Sequence, residues 1–173
     1  MAWQIDQSHS LIQFSVKHMM IAKVRGFFEE FNGSINLDQN NPSETEVEVS
    51  IKTASINTRQ SQRDEHLRSP DFFDSENYPE MHFISTKVEL LSENTAKLYG
   101  NLTIKDITKE VVLDVKFNGL SKSPFGTTNA GFEANGIINR KDWDLNWNQT
   151  LETGGFLVGD QIEINIELEL IKQ

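Results

Sequence analysis

Residues 162–170 read IEINIELEL, an uninterrupted alternation of apolar and polar side chains. Successive side chains of a β-strand point to opposite faces, so the three isoleucines and two leucines share one face. The glutamates and the asparagine share the other face. The stretch therefore predicts a strand with one buried face and one face in water.

The same alternation with a period of two recurs along the chain and predicts about eight strands. The other stretches are residues 12–16, 31–37, 47–51, 84–90, 98–104, 111–117 and 130–138. Turn-forming residues separate them, and only one gap leaves room for a helix. Parallel strands need long crossover connections, so we predict one all-β domain over residues 1–173 with an antiparallel sheet.

The apolar face of this sheet needs a partner, and the sequence offers no long helix to cover it. Closure into an eight-stranded barrel buries that face in a lumen and removes the sheet edges. A packed two-sheet sandwich is the alternative that the alternation leaves open.

Composition narrows the function classes. The 26 acidic against 16 basic residues give a formal net charge of −10, which argues against binding to nucleic acid or to anionic membrane surfaces. The absence of cysteine excludes disulfides and a thiol nucleophile.

No apolar run is long enough for a membrane span, so no stable membrane insertion is expected. The first residues lack a signal-peptide pattern, which predicts a cytoplasmic protein, or a periplasmic one if a leader was removed.

A charged insertion at residues 57–83 interrupts the strand pattern. Ser61 and Asp64 resemble a capping box, and the residue before Pro70 is disfavoured in a helix. We therefore predict a short helical segment at about residues 60–75, with a first helix ending near Arg68 and a second turn beginning at Ser69. Leu67, Phe72 and Phe73 would anchor it as a lid on one end of the barrel.

The insertion does not predict a catalytic or metal site. Neighbouring side chains on a helix fan about 100° apart, so Asp64, Glu65 and His66 do not converge. No pair of histidines has the spacing of a zinc-binding helix. A hydrolase or isomerase that uses the four histidines with Asp or Glu is the competing hypothesis. Its members are His9, His18, His66 and His82.

The inward faces of the strands predict the residues that line the lumen. They are Phe14, Val16, Ile35, Leu37, Val49, Ile51, Val88, Leu98, Leu102, Leu113, Val115, Phe132, Ile162, Ile164 and Ile166. The alternative is that these side chains fill a solid core. Small residues on the same faces favour internal space, namely Gly33, Gly100, Ala130, Ala134 and Gly136.

Two polar residues continue inward faces where their strands end. His18 follows the Ile12–Val16 face, and Arg140 follows the Phe132–Ile138 face. Either could contact a polar head group at a barrel mouth. The alternatives are a core histidine and a surface arginine paired with an acid.

Five segments in order resemble the YceI-like family of polyisoprenoid-binding proteins. They are residues 3–33, 63–74 (RDEHLRSPDFFD), 78–86 (YPEMHFIST), 100–111 and 138–148. The resemblance implies an extended, lipocalin-like antiparallel barrel of eight strands with a helical segment at one end. It also implies an elongated apolar lumen for a long prenyl or fatty chain, and a homodimer.

The leading hypothesis is a non-enzymatic protein that binds, sequesters or transports a long-chain amphiphile. The resemblance points to a polyisoprenoid or an isoprenoid-quinone precursor as this ligand, with no cofactor besides the lipid. A third hypothesis is a ligand-free barrel that acts through its acidic outer surface.

Overall fold

A computed structural model describes residues 3–172, and residues 1, 2 and 173 lie outside the described part. The strands are β1 (Trp3–Ile5), β2 (Leu11–His18), β3 (Ala22–Phe28), β4 (Phe31–Asn36), β5 (Glu46–Lys52), β6 (Ile56–Asn57), β7 (Glu80–Leu90), β8 (Thr95–Ile104), β9 (Ile107–Lys122), β10 (Thr128–Asn139) and β11 (Val158–Lys172). One α-helix, α1 (Ser61–Arg68), lies between β6 and β7. No helix within residues 3–172 has the length and apolarity to cross a membrane.

The eleven strands form one closed antiparallel sheet. At one end of the barrel the strand order is β1-β4-β5-β7-β8-β9-β10-β11, and the pairing of β11 with β1 closes the barrel. At the other end of the barrel, β11 pairs with β2, β2 with β3, and β3 with β6. Three of the eight barrel strands are thus interrupted: β1 continues as β2, β3 as β4, and β5 as β6. The structure confirms the eight-stranded antiparallel barrel and excludes the packed sandwich.

Local hydrogen bonds satisfy the backbone where β1 gives way to β2. The break is a single 3-10 turn, Gln7–His9. The side-chain amide of Gln7 donates to the Phe31 carbonyl, at the break between β3 and β4. The Glu169 amide donates to Ser10 Oγ at 3.0 Å, and the Asp6 amide donates to the Glu169 carbonyl at 2.8 Å. Buried backbone groups therefore keep partners across the interruption.

A β-bulge in β7 overturns part of the predicted alternation. The register shifts between Ser85 and Lys87, where two residues of β7 oppose one of β8. Before the bulge, Met81 and Phe83 point inward, and Ile84, which the alternation placed inside, is 52% exposed. The predicted inward face of residues 84–90 is wrong in its first half for this reason.

The small residues do not create the internal space that the sequence suggested. The Phe83 ring occupies the space beside Gly100, and the Leu113 side chain occupies the space beside Gly136. Ala130 is completely buried, with no exposed surface. Only Ala134 of the five small residues borders internal space.

The interior contains two apolar clusters. The larger one lines most of the barrel interior and reaches the helix end. The smaller one closes the opposite end, and we call it the plug cluster. Its buried members are Trp3, Ile35, Ala130 and Leu170.

Candidate functional site: an apolar cavity beneath a helical lid

An internal cavity of about 220 Å³ lies between the plug cluster and helix α1. Twenty-nine residues line it, and all of them except Gln13 and Arg140 are apolar. An eight-stranded barrel has an interior just wide enough for side chains or one small ligand. The barrel is therefore hollow on the side of the helix and packed at the plug.

Most of the predicted lining residues surround this cavity. Those that line it are Phe14, Val16, Val49, Ile51, Leu98, Leu102, Leu113, Arg140, Ile162, Ile164 and Ile166. Those that do not are His18, Ile35, Leu37, Val88, Val115 and Phe132. Whether the lining residues contact a ligand stays a prediction.

The plug cluster explains three of the misplaced residues. Ile35 is a buried member of the plug, and Leu37 and Phe132 pack against it. Each points into the barrel as predicted, but at the height of the plug cluster, where the interior is packed. Alternation determines the face of a residue and not its height relative to the cavity.

The other three misplaced residues have local causes. Val115 packs against the larger core cluster without reaching the cavity. Val88 is half-buried and lies opposite Leu98, beyond the bulge in β7. His18 is the half-buried last residue of β2, opposite Val158 of β11.

The sequence reasoning missed several parts of the cavity wall, and two groups of residues show why. Met81 and Phe83 of β7 line the cavity because, before the bulge, the residues that point inward are those that the alternation placed outside. Phe28 and Ile56 come from β3 and β6, two strands that the alternation did not reveal. The apolar anchors predicted for the lid, Leu67, Phe72 and Phe73, complete the wall at the helix end.

A buried carboxylate fixes the lid to the barrel. Asp64 is 6% exposed, and its Oδ1 accepts hydrogen bonds from the Thr58 amide at 2.9 Å and from Thr58 Oγ1 at 2.5 Å. Arg63 donates from Nε to Thr58 Oγ1 and from its terminal nitrogen to the Thr58 carbonyl, both at 2.8 Å. The insertion is therefore a brace, as the lid hypothesis requires.

One detail of the lid differs from the prediction. The N-cap is Gln60, whose side chain accepts from the Arg63 amide, and Ser61 is already helical. The helix ends at Arg68 as predicted, and a second turn follows at residues 70–73, where the Phe72 amide donates to the Ser69 carbonyl at 3.0 Å. The backbone of this turn is hydrogen-bonded to helix α1, because the Phe73 amide donates to the Leu67 carbonyl at 3.0 Å.

Aromatic contacts join the lid to the loop before β11 and to the cavity wall. The His66 ring lies edge-on to Trp147, with centroids 4.6 Å apart, and the Phe72 ring lies 5.5 Å from Trp147. The Phe73 ring meets Phe28 at 5.9 Å, and Phe28 meets Phe14 at 5.7 Å. Trp147 thus packs at the rim of the barrel.

Arg140 holds the loop at this mouth. Its guanidinium is 3% exposed and donates to the carbonyls of Leu145, Trp147, Val158 and Gly159. Burial lowers its pKa. With its donors directed at backbone carbonyls, Arg140 acts as a structural tie. It is buried and not the surface arginine of the alternative prediction, although the carboxylate of Asp160 lies 3.8 Å from its guanidinium. Arg140 also lines the cavity, and its contact with a head group stays a prediction.

We expect Asp64→Ala to loosen the lid. The substitution leaves the Thr58 amide without its partner, which costs about 1–3 kcal/mol for a buried donor. Amide hydrogen exchange of residues 58–73 should accelerate accordingly, while exchange in β9 and β10 stays slow. Glu65→Ala changes an exposed neighbour on the same helix and should leave exchange unchanged. Equal exchange rates in the two variants would remove Asp64 from its bracing role.

The four histidines do not form one site. His9 lies near the plug end beside Asp6 and Glu169, and His66 lies on the lid with its Nε2 2.8 Å from Asp71 Oδ2. His82 faces outward beside Ser50 and Glu80. His18 ends β2, and none of the four lines the cavity. The histidine set of the hydrolase or isomerase hypothesis therefore does not converge.

Asp6, His9 and Glu169 form a charged cluster at the break in the first barrel strand. His9 Nδ1 lies 2.7 Å from Asp6 Oδ2 and 3.1 Å from Glu169 Oε2. Hydrogen bonds from Ser8 and then from His9 lower the pKa of Asp6 to about 2. The hydrogen bond with Asp6 raises the pKa of His9. The cluster joins the turn to β11 through opposite charges.

The two pKa shifts predict the pH range in which this cluster stabilises the fold. Asp6 stabilises the fold above its ordinary pKa of 3.8, and that contribution is lost as the pH falls toward about 2. His9 contributes fully below its ordinary pKa of 6.5, and its contribution is lost as the pH rises through its higher folded value. We expect Asp6→Asn to lower the urea midpoint most at pH 5 and least at pH 2. Glu152→Gln, at an exposed site, should give no such pH-dependent difference. A constant difference for Asp6→Asn across this range would contradict the assignment.

Barrel closure, the apolar interior and the helical lid define a class of protein. The chain is a lipocalin-like β-barrel with an apolar cavity inside the barrel. The family model described as the YceI-like domain matches residues 3–170. The chain belongs to the YceI-like family.

Comparisons with individual proteins agree with this assignment. A UPF0312 protein of Staphylococcus aureus is 38% identical over 165 residues, which cover 95% of this chain and 94% of that protein. The crystal structure of Burkholderia cenocepacia BcnA is similar with a TM-score of 0.84 at 21% identity, covering 95% of this chain and 98% of BcnA. A polyisoprenoid binding domain from Saccharophagus degradans, implicated in plant cell wall breakdown, has a TM-score of 0.71 at 13% identity, with 97% of each chain covered. At these identities the two structural likenesses show the fold.

Proposed function

We propose that this protein binds the apolar chain of an isoprenoid-type amphiphile in the barrel cavity, without catalysis and without a further cofactor. The observation that carries the proposal is the lining, in which 27 of the 29 cavity residues are apolar. An apolar cavity of this kind stays dry and favours hydrocarbon over water. The similarity to a polyisoprenoid binding domain supports an isoprenoid as the chain.

The size of the cavity bounds the affinity. An apolar cavity of about 150 Å³ accommodates benzene, so the observed 220 Å³ corresponds to about ten carbons. At roughly 0.8 kcal/mol per buried carbon, the gross gain is about 8 kcal/mol, which corresponds to a dissociation constant of about 1 µM. Loss of chain freedom reduces this value. Such binding suits sequestration or transport, in which the ligand is also released.

Native mass spectrometry tests the proposal after mild purification. We expect an additional mass that disappears on organic extraction and returns when an isoprenoid alcohol such as farnesol is added. The extracted compound should carry a prenyl or similar aliphatic chain. A single protein mass that does not change with farnesol at tens of micromolar would contradict the proposed function.

A further inference from the structure

On the neighbouring strands β10 and β11 the cavity ends at the same level, at the plug cluster. On β11, Leu168 lines the cavity and Leu170, the next inward residue, is a plug member with 1% exposure. On β10, Ala134 lines the cavity and Ala130 belongs to the plug. Ala130 lies directly opposite Leu170 in the register. The floor is thus made by neighbouring strands at the same height.

Trp3 is the largest side chain in this floor. It is 1% exposed and lies opposite Ile35 in the pairing of β1 with β4. The ammonium group of Lys172 stands 5.5 Å from the ring centroid. Because β1 also pairs with β11, the indole is held where the barrel closes. Its position is therefore fixed by two strands and by close packing.

The depth of the cavity agrees with its volume. The seven residues from Ile162 to Leu168 are six strand steps apart and span about 20 Å along β11, which a strand tilt near 40° reduces to about 15 Å along the axis. A depth of about 15 Å and the volume of 220 Å³ both suit a chain of about ten carbons, or two isoprene units.

We infer that the plug cluster, with Trp3 at its centre, sets the length of chain that the barrel encloses. This inference rests on the proposed function and specifies its ligand. The terminal two isoprene units lie between Trp3 and the lid. The remaining units and the polar head of a longer amphiphile lie beyond the lid, in water or against another surface. Chain length beyond about ten carbons then adds little to the affinity.

The test is calorimetric titration with geraniol, farnesol and geranylgeraniol, which have two, three and four isoprene units. For the wild type we expect affinities within about threefold of one another, since the added units stay outside. Trp3→Ala extends the cavity past the floor, so farnesol should bind at least tenfold more tightly than geraniol. Val115→Ala truncates a core residue outside both plug and cavity and should keep the wild-type profile.

The outcomes separate the length limit from binding itself. If wild-type affinity rises tenfold with each added unit, the plug does not limit the chain and the inference is overturned, while the proposed function stands. If no alcohol binds the wild type, the proposed function fails. Should Trp3→Ala not fold, Ile35→Ala opens the same level with a smaller loss of packing, and farnesol should gain about tenfold over geraniol, well outside the wild-type spread. An unchanged profile in a folded Ile35→Ala variant would also overturn the inference.

Discussion

Replacing Ala134 with phenylalanine is expected to weaken geraniol binding at least tenfold while the barrel remains folded. Ala134 is 9% exposed and borders the cavity between Phe132 and Ile138 on β10. The added ring occupies a large part of the 220 Å³ that a chain would use. Overpacking costs about 1–3 kcal/mol of stability, which a domain of this size tolerates. Calorimetric titration measures the affinity, and thermal unfolding verifies the fold.

The next residue on the same strand supplies the matched control. Asn135 is exposed on the outer face of β10, so Asn135→Phe adds the same ring outside the barrel. We expect wild-type affinity for this variant. If both variants bind geraniol like the wild type, the chain does not occupy the cavity, and the ligand site has to be sought on the outer surface.

The largest loss of stability is expected for Trp143→Ala, at about 3–5 kcal/mol. Trp143 is 1% exposed, and its indole Nε1 donates to the Leu102 carbonyl at 2.9 Å. The substitution removes a large buried ring and also leaves that carbonyl without a partner. Urea unfolding measures the change. Since domains are stable by only about 5–15 kcal/mol, the variant should be close to unfolded at 37 °C.

Two further variants separate packing from the hydrogen bond. Trp143→Phe keeps most of the apolar contact and loses the donor, which should cost about 1–3 kcal/mol. Leu91→Ala truncates a leucine that is 54% exposed and should change stability by less than about 0.5 kcal/mol. A loss below 1 kcal/mol for Trp143→Ala would show that this end of the barrel is not packed as described.

The strand pattern could be read from the sequence because one buried face imposes a period of two. The alternation at 162–170 places Ile164 and Ile166 on the cavity wall and Leu170 in the core, and the structure has all three there. The resemblance to the YceI-like family is confirmed over residues 3–170. The end of the helix at Arg68 was detectable because the proline signal is local, whereas the capping pattern placed the N-cap at Ser61, one residue after the actual N-cap Gln60.

What the sequence left undetermined depends on contacts between distant segments. The bulge at Ser85–Lys87 reverses the face of Ile84, and nothing in the local alternation marks it. Gly100 predicted space, yet the Phe83 ring from the neighbouring strand fills it. Arg140 continues an inward face, but its role follows from carbonyls of Leu145 and Gly159 that a sequence pattern cannot locate. The height of Trp3 relative to the cavity likewise requires the closed barrel.

Xenon binding in a crystal pressurised with the gas tests most directly whether the barrel is hollow. Xenon enters dry apolar cavities without needing a specific partner. The structure requires an anomalous peak inside the barrel, between Ala134, Leu113 and Ile164 on the lid side of Trp3. A map with no xenon there, and with the side chains of opposite strands in contact across the axis, would contradict the hollow interior on which the proposed function depends.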